Sequence, residues 1–515
     1  MFRSYILLTL RDLWKSKYFS LLNILGLGIS IATCLLVMML IKDASNFDRF
    51  HPEDHLLYRV VTNAQRKDGG SEGYATSPYP MASTISAQSS LIQQWVPLIN
   101  RFNGELVSGE ARFSFQGLAT TPNFFNTFGF GLESGNIFDL NQSNVIVLTK
   151  PLALKLFPNL EPIGQSIQWA GHDFPLKVVG VMQPFPGKTH LEFEALTSVA
   201  TILSSQESLP FAFNSNDWRD YYAGYHFFKL KSKEDKQKVE SELNALAKER
   251  YATLDLESRD VGYTFELQAL SAITPGRNLS NSMGKGIPSF LLIFLSFLGL
   301  IILVSAGFNH TNMALAKAVS RTKEIGLRKI IGAERRHIFS QFIIEAVITS
   351  FLATLVGITL LKVAIPLFNR LQFLQYADVS FNFSPSLLVW YFVFALAVGI
   401  VIGLVPSWAL SSVNALKAVN AKGNVSILKR FNLRKGIIVT QLTLTLIFFF
   451  LISTGIKQVR YSLANSFGAD KDYIVNLQLQ GQEYKKVRTE FEKQAQVQSV
   501  SGASILMGTY FDSSV

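Results

Sequence analysis

Cysteine is almost missing from this 515-residue chain, and Cys34 is its only representative. That excludes an internal disulfide and any cysteine-based metal cluster. Cys34 itself lies inside an apolar run, where it reads as a small buried hydrophobe. Charge is scarce as well: 17% of the residues are charged, against about 25% in ordinary soluble proteins. No G-x-x-x-x-G-K-[ST] segment occurs, so the chain has no P-loop to cradle nucleotide phosphates. His51 and His55 stand in HPEDH, not H-E-x-x-H, and Pro52 disfavours the regular helix that a two-histidine metal pair needs. This segment reads as a polar helix start. Gly129, Gly131 and Gly135 read as turns. With no nucleophile–base pattern either, a membrane-bound enzyme is the weakest of the functional classes, and no directly bound cofactor or metal is expected.

What the chain does have is apolar length. About 20 apolar residues cross a hydrocarbon core roughly 30 Å thick. Phe19–Ile41, Ile287–Phe308, Phe342–Leu361, Leu387–Leu410 and Gly436–Ile456 all qualify. The first is too long for a secretion-signal core and is followed by Lys42 and Asp43, not by a small-x-small cleavage site, so it reads as a retained span. Glu345, near the start of the third span, is either a functional handle or a consequence of where the boundary falls.

The net charge of +11 does not point to nucleic acid, because the basic residues crowd the short segments beside the spans. Segment 1–18 carries Arg3, Arg11, Lys15 and Lys17 against Asp12. Basic residues also dominate 309–341, and 411–435 contains no acid at all, whereas 362–386 is nearly neutral. The positive-inside rule places 1–18, 309–341 and 411–435 in the cytoplasm. Residues 42–286, 362–386 and 457–515 then lie outside.

Segment 42–286 is long enough for a packed domain or two. Asn144–Thr149, Leu176–Val181 and Tyr225–Leu230 read as strands, and Pro151–Phe157 and Glu234–Arg250 as helices, the second with Val239, Leu243, Leu246 and Ala247 on one stripe. The fold class is therefore a polytopic α-helical membrane protein with a large mixed α/β periplasmic domain between spans one and two. The tail 457–515 includes the strand-like YIVNLQL at 473–479 and resembles the opening of a second exterior domain. Two similar halves, the second cut short, are expected; a complete five-span protein with a small tail is the alternative.

Segment 309–341 is the most informative. Leu315, Ala318, Val319, Thr322 and Ile325 form a modest apolar stripe among basic residues, as in a surface helix near the membrane. Anchoring to anionic lipid and docking of a cytoplasmic partner both fit this pattern. Gly326 and Gly332 favour docking, because they break an amphipathic helix and permit turns or close backbone approach.

RTKEIGLRKIIGAERR at 321–336 resembles the loop of the MacB/FtsX-like permeases of ABC transporters, above all the long two-half members. LRDLWKSK at 10–17, NILGLGIS at 23–30, FDRFH at 47–51 and LYRV at 57–60 resemble the family's opening. TPNFF at 121–125, NVIVLT at 144–149, ALKLF at 153–157, PIGQ at 162–165 and VVGV at 178–181 resemble its periplasmic core domain. The resemblance covers essentially the whole chain.

It implies a type VII permease of the bacterial inner membrane that pairs with a cytoplasmic ABC ATPase, itself a dimer supplying ATP and Mg. It also implies mechanotransmission for efflux or for extraction of an antimicrobial, peptide or lipoprotein. Arg321, Lys323, Glu324, Ile325, Gly326, Arg328, Lys329, Gly332 and Ala333 become the ATPase-coupling candidates. A periplasmic adaptor and membrane lipids are further partners it suggests. A longer gene product would form a pseudo-dimer of its two halves, a single half a homodimer. The scarcity of polar groups along the spans favours force transmission over a wide pore. A non-transporting envelope scaffold or signalling protein is the competing reading.

Overall fold

The computed structural model describes residues 2–370, 379, 381, 385–412, 431–464, 474–477, 479 and 483–502, apart from 110, 206–212, 223, 257 and 258; the side chains of 2–4, 318–323, 385, 386, 431–434, 463 and 464 lie outside that description. These residues fall into two compact units, one of Met1–Asp43 and Phe290–Ile474 and the other of Ala44–Ser289 and Val475–Val515.

The exported unit is built on one mixed sheet. From edge to edge its main path runs through Asp260–Ala269, Leu57–Arg66, Gly224–Leu230, Ile92–Ser108, Ala111–Thr120, Ala195–Ser198, Val145–Thr149, Pro175–Met182 and Leu132–Gly135. The first five strands pair antiparallel. Ala111–Thr120 then pairs parallel with Ala195–Ser198, and Val145–Thr149 parallel with Pro175–Met182. Val145–Thr149 is buried along its whole length, the state that an unbroken apolar run favours. Alternate side chains leave a strand on opposite faces. Val145 and Val147 accordingly join one core cluster, with Phe124, Phe128 and Phe227, while Ile146 and Leu148 join another, with Phe102, Phe115 and Trp169. The helix Lys236–Tyr251 buries Val239, Leu243, Leu246 and Ala247, the stripe read from its sequence.

HPEDH leads into a short helical turn, Asp54–Leu56, as its sequence suggests, and its first residue also has a buried role. His51 is buried, and its Nδ1 lies 2.6 Å from the Phe128 carbonyl oxygen. Its Nε2 lies 3.2 Å from Asp48 Oδ1, while Asp48 Oδ2 lies 2.7 Å from His190 Nδ1 and Thr189 Oγ1 donates to Asp48 Oδ1 over 2.7 Å. Burial alone would raise the Asp48 carboxyl, but the charge and hydrogen bond of His190, with the bonds from His51 and Thr189, hold it well below the usual range.

Among the described residues of the membrane unit, five helices are long and apolar enough to span: Lys17–Ala44, Ser289–Lys317, Arg335–Phe368, Leu387–Ser411 and Lys435–Ser462. An added helix, Phe2–Lys15, precedes the first and exposes Leu7, Leu10 and Trp14 along one side beside Arg11 and Lys15. The chain bends at Ser16, whose Oγ donates to the Asp12 carbonyl oxygen over 3.0 Å.

Small residues let the spans approach closely. A Cβ on Gly399 would fall 2.6 Å from Val347 Cα, and one on Gly403 would fall 2.8 Å from Ala346 Cβ, so the third and fourth spans meet backbone to backbone. Cys34 Sγ donates to the Gly299 carbonyl oxygen over 3.4 Å, and the residue is partly exposed, not fully buried. Of YIVNLQL, 474–477 and 479 form no strand, while 473 and 478 lie outside the described residues; further on, Tyr484–Glu492 forms a helix.

Candidate coupling site

The second span does not end where its apolar run ends. Its helix continues unbroken from Ser289 to Ile330, 42 residues in all. At 1.5 Å per residue that is roughly 63 Å, about twice the hydrocarbon thickness. The sequence reading of a separate surface helix, interrupted at Gly326, is therefore corrected: Gly326 sits buried within one continuous helix. Good helix formers (Ala, Leu, Lys, Arg and Glu) on both sides outweigh the cost of a single glycine, about 1 kcal/mol.

Gly332 ends the helix. Its φ of 101° lies in the left-handed region, its N–H donates to the Lys329 carbonyl oxygen over 3.2 Å, and the Ala333 N–H reaches the Arg328 carbonyl oxygen over 2.9 Å. This pair of bonds is a Schellman stop, which satisfies carbonyls that the helix end leaves open and needs a residue tolerant of positive φ. The next helix begins at Arg335.

The candidate residues divide sharply by direction. Ile325 is 4% exposed and packs with Ile338, Leu410 and Phe342 beneath the turn. Arg328 donates to Gln341 Oε1 over 2.9 Å and to Glu324 Oε1 over 2.5 Å. Lys329 Nζ donates to the Ser411 carbonyl oxygen over 2.7 Å, and Arg335 Nε to Ser411 Oγ over 3.5 Å. Burial, and then the neighbouring Arg335, hold the Lys329 ammonium below the usual lysine range. Arg321 and Lys323 lie on the helix with side chains outside the described residues.

The outward side carries residues that sequence reasoning missed. Leu327, Ile330 and Ile331 are 52%, 57% and 84% exposed. Their i, i+3, i+4 spacing was the available signal; the surrounding charges and the stripe through Ile325 drew attention to the opposite face. The site is thus an apolar knob held by internal polar braces. Among the described residues no cluster of three or more His, Cys, Asp or Glu could hold a metal.

These features define a class: a polytopic helical membrane protein of permease type, with a periplasmic mixed α/β domain between its first two spans. Residues 20–246 match the MacB-like periplasmic core domain and residues 296–415 the FtsX-like permease C-terminal domain. The chain belongs to the MacB/FtsX-like family of ABC transporter permeases, and it is a multi-pass inner-membrane protein. Neither matched region is an ATPase module.

The macrolide export ATP-binding/permease protein MacB of Neisseria gonorrhoeae is 26% identical over 315 residues, covering 58% of this chain and 42% of the relative. The uncharacterized ABC transporter permease YknZ of Bacillus subtilis is 23% identical over 305 residues, covering 58% of this chain and 67% of the relative. The periplasmic region of MacB from Actinobacillus actinomycetemcomitans aligns with a TM-score of 0.28 and 18% identity, covering 40% of this chain and 87% of that one. The matched stretch spans less than half the length of the MacB relatives.

Proposed function

We propose that this protein is the permease and force-transmitting subunit of an ABC system, driven by a separate cytoplasmic ATPase that binds ATP and Mg. The observation that carries this reading is the exposed trio Leu327, Ile330 and Ile331 on a turn braced from behind by Arg328 and Lys329. An apolar knob at the cytoplasmic end of a long, stiff helix suits a groove on a moving partner. The braces keep a push on the knob from being absorbed by local bending. Burying a Leu or Ile side chain contributes about 2 kcal/mol, so the trio supplies a sizeable part of a docking energy.

In this reading Glu324, Arg321 and Lys323 lie beside the contact, Ala333 follows it, and Ile325, Gly326, Arg328, Lys329 and Gly332 hold its shape. ATP-driven closure of the partner moves the turn, and the second span carries that movement towards the periplasmic domain that follows the first span in sequence. The work done there is export or extraction of an envelope substrate, of antimicrobial, peptide or lipoprotein type. The partner ATPase acts as a dimer across two permease halves, in the type VII arrangement. A periplasmic adaptor would meet the exported domain.

The test is affinity purification of the full gene product from native membranes. The expected result is a P-loop ATPase in near-stoichiometric yield, lost with Ile331→Asp while the protein stays folded. Recovery of the folded protein without any ATPase would instead favour an independent envelope scaffold.

A further inference from the structure

At the cytoplasmic end of the membrane unit, the added N-terminal helix and the first four spans enclose a partly open cavity of about 50 Å³. Its wall is apolar in part, from Leu13, Phe19 and Phe342, but several ionisable or hydrogen-bonding groups face it. His310 is 7% exposed, and its Nδ1 has no hydrogen-bond partner. Glu345 and Lys317 also line the space. Lys317 Nζ donates to Ser16 Oγ over 2.8 Å and lies 4.5 Å from the Phe19 ring centre, and Ser16 Oγ is 3.2 Å from Ser20 Oγ. Ionisable groups placed in a span are costly, and their retention points to a ligand or a function.

The chemistry has two ends. Lys317 offers a cation, suited to a phosphate. Glu345 and an imidazole protonated on Nε2, which leaves Nδ1 as an acceptor, suit an ammonium group. The level is set by neighbours: Trp14 and Tyr18 are exposed next to Arg11, Lys15 and Lys17, the composition of a headgroup-layer belt. Size narrows the occupant. A water needs about 10–15 Å³ measured this way, so the cavity holds roughly three to five waters. That admits the small C–C–N end of an ethanolamine headgroup and excludes an acyl chain.

We infer that this cavity is a binding site for the headgroup of phosphatidylethanolamine from the cytoplasmic leaflet. The ammonium sits against Glu345 and His310, and the phosphate sits at the rim against Lys317. The bound lipid fastens the N-terminal helix to the base of the bundle. This goes beyond the coupling role and does not depend on it, because no ATPase takes part in binding.

The experiment reconstitutes the full chain into vesicles of phosphatidylethanolamine with phosphatidylglycerol, and in parallel into phosphatidylcholine with phosphatidylglycerol. Each sample is extracted into mild detergent, and retained lipid is read by native mass spectrometry. Choline has no N–H donor and three added methyl groups, so it neither pairs with His310 nor fits. One phosphatidylethanolamine per chain is expected, with phosphatidylcholine retained at least about tenfold less, as loss of a charged hydrogen bond implies. Glu345→Gln and His310→Phe should each release the lipid, and Lys317→Arg should keep it. Thermal midpoints show whether each variant is folded, and the comparison of headgroups on the unmutated protein needs no variant. Equal retention of the two headgroups, retention of phosphatidylglycerol alone, or no retained lipid would overturn the proposal. So would a folded Glu345→Gln protein that holds the lipid undiminished.

Discussion

Lys329 Nζ lies 2.7 Å from the carbonyl oxygen of Ser411, so the turn at Gly332 is tied directly to the cytoplasmic end of the fourth span. A cation at a helix C-terminus meets both an unpaired carbonyl and the negative end of the helix dipole. Lys329→Met should therefore destabilise the membrane unit by about 1 kcal/mol, read as a lower thermal midpoint in detergent. Lys329→Glu should cost more, because it sets a carboxylate against the same carbonyl. Charge reversal here thus disturbs the protein's own brace, and loss of partner binding in such a variant does not by itself report docking.

The packed and exposed sides of this helix end should respond differently. Ile325→Asp places a carboxylate among Ile338, Leu410 and Phe342 and should cost at least about 3 kcal/mol, as burying an unpaired charge does. Ile331→Asp, at an exposed position, should change stability by less than about 0.5 kcal/mol. Unfolding of the purified chain in detergent distinguishes them; equal loss at both positions would remove the distinction between packed and exposed faces.

Gly332 offers a test of the turn itself. Nothing lies within 4 Å of a Cβ built there, so the only penalty on substitution is its φ of 101°. Gly332→Asn should be tolerated within about 1 kcal/mol, whereas Gly332→Val, β-branched, should cost about 2 kcal/mol or more. Hydrogen exchange of the Gly332 and Ala333 amides reads the loss of the Schellman bonds.

Asp48 gives a pH dependence. Its carboxyl is held below the usual range by His190, His51 and Thr189. A depressed carboxyl contributes stability that is full above its unfolded value, near about pH 4, and is lost as pH falls through the folded value. Protection of the 188–191 amides should fall on acidification below about pH 4. In Asp48→Asn it should be lower at neutral pH, by about 3 kcal/mol for a broken buried pair, and should change less with acid.

Much of the fold was legible because it rests on repeated, local signals. Apolar length marked the spans, and an unbroken V-I-V-L-T run marked a fully buried strand. Loop charge set the direction of the chain, since it reflects which segments crossed the membrane. The sequence was less clear where distant partners decide. The helix start in HPEDH is legible, but the buried role of His51 is not, because Asp48, Phe128 and His190 come together only in the folded domain. Gly326 looked like a breaker because propensity is a weak prior beside a helix already propagating from the membrane. Arg328 and Lys329 looked free to meet a partner, and only the placement of Gln341 and Ser411 shows that they are already engaged. Ser16 gives only a weak bend signal, so the segment before the first span reads in sequence as a plain cytoplasmic stretch, not as a separate helix.

The central claim is that Leu327, Ile330 and Ile331 form the face that meets the ATPase. Cys34 is the chain's only cysteine, so a Cys34→Ser background carrying Ile331→Cys has a single reactive site. Thiol cross-linking in native membranes, followed by mass spectrometry, should join that position to a cytoplasmic P-loop ATPase, while Phe138→Cys, exposed on the exported domain, should give no such adduct. Cross-links from position 331 only to lipid-facing or periplasmic proteins, with the protein folded and the ATPase present, would contradict the account.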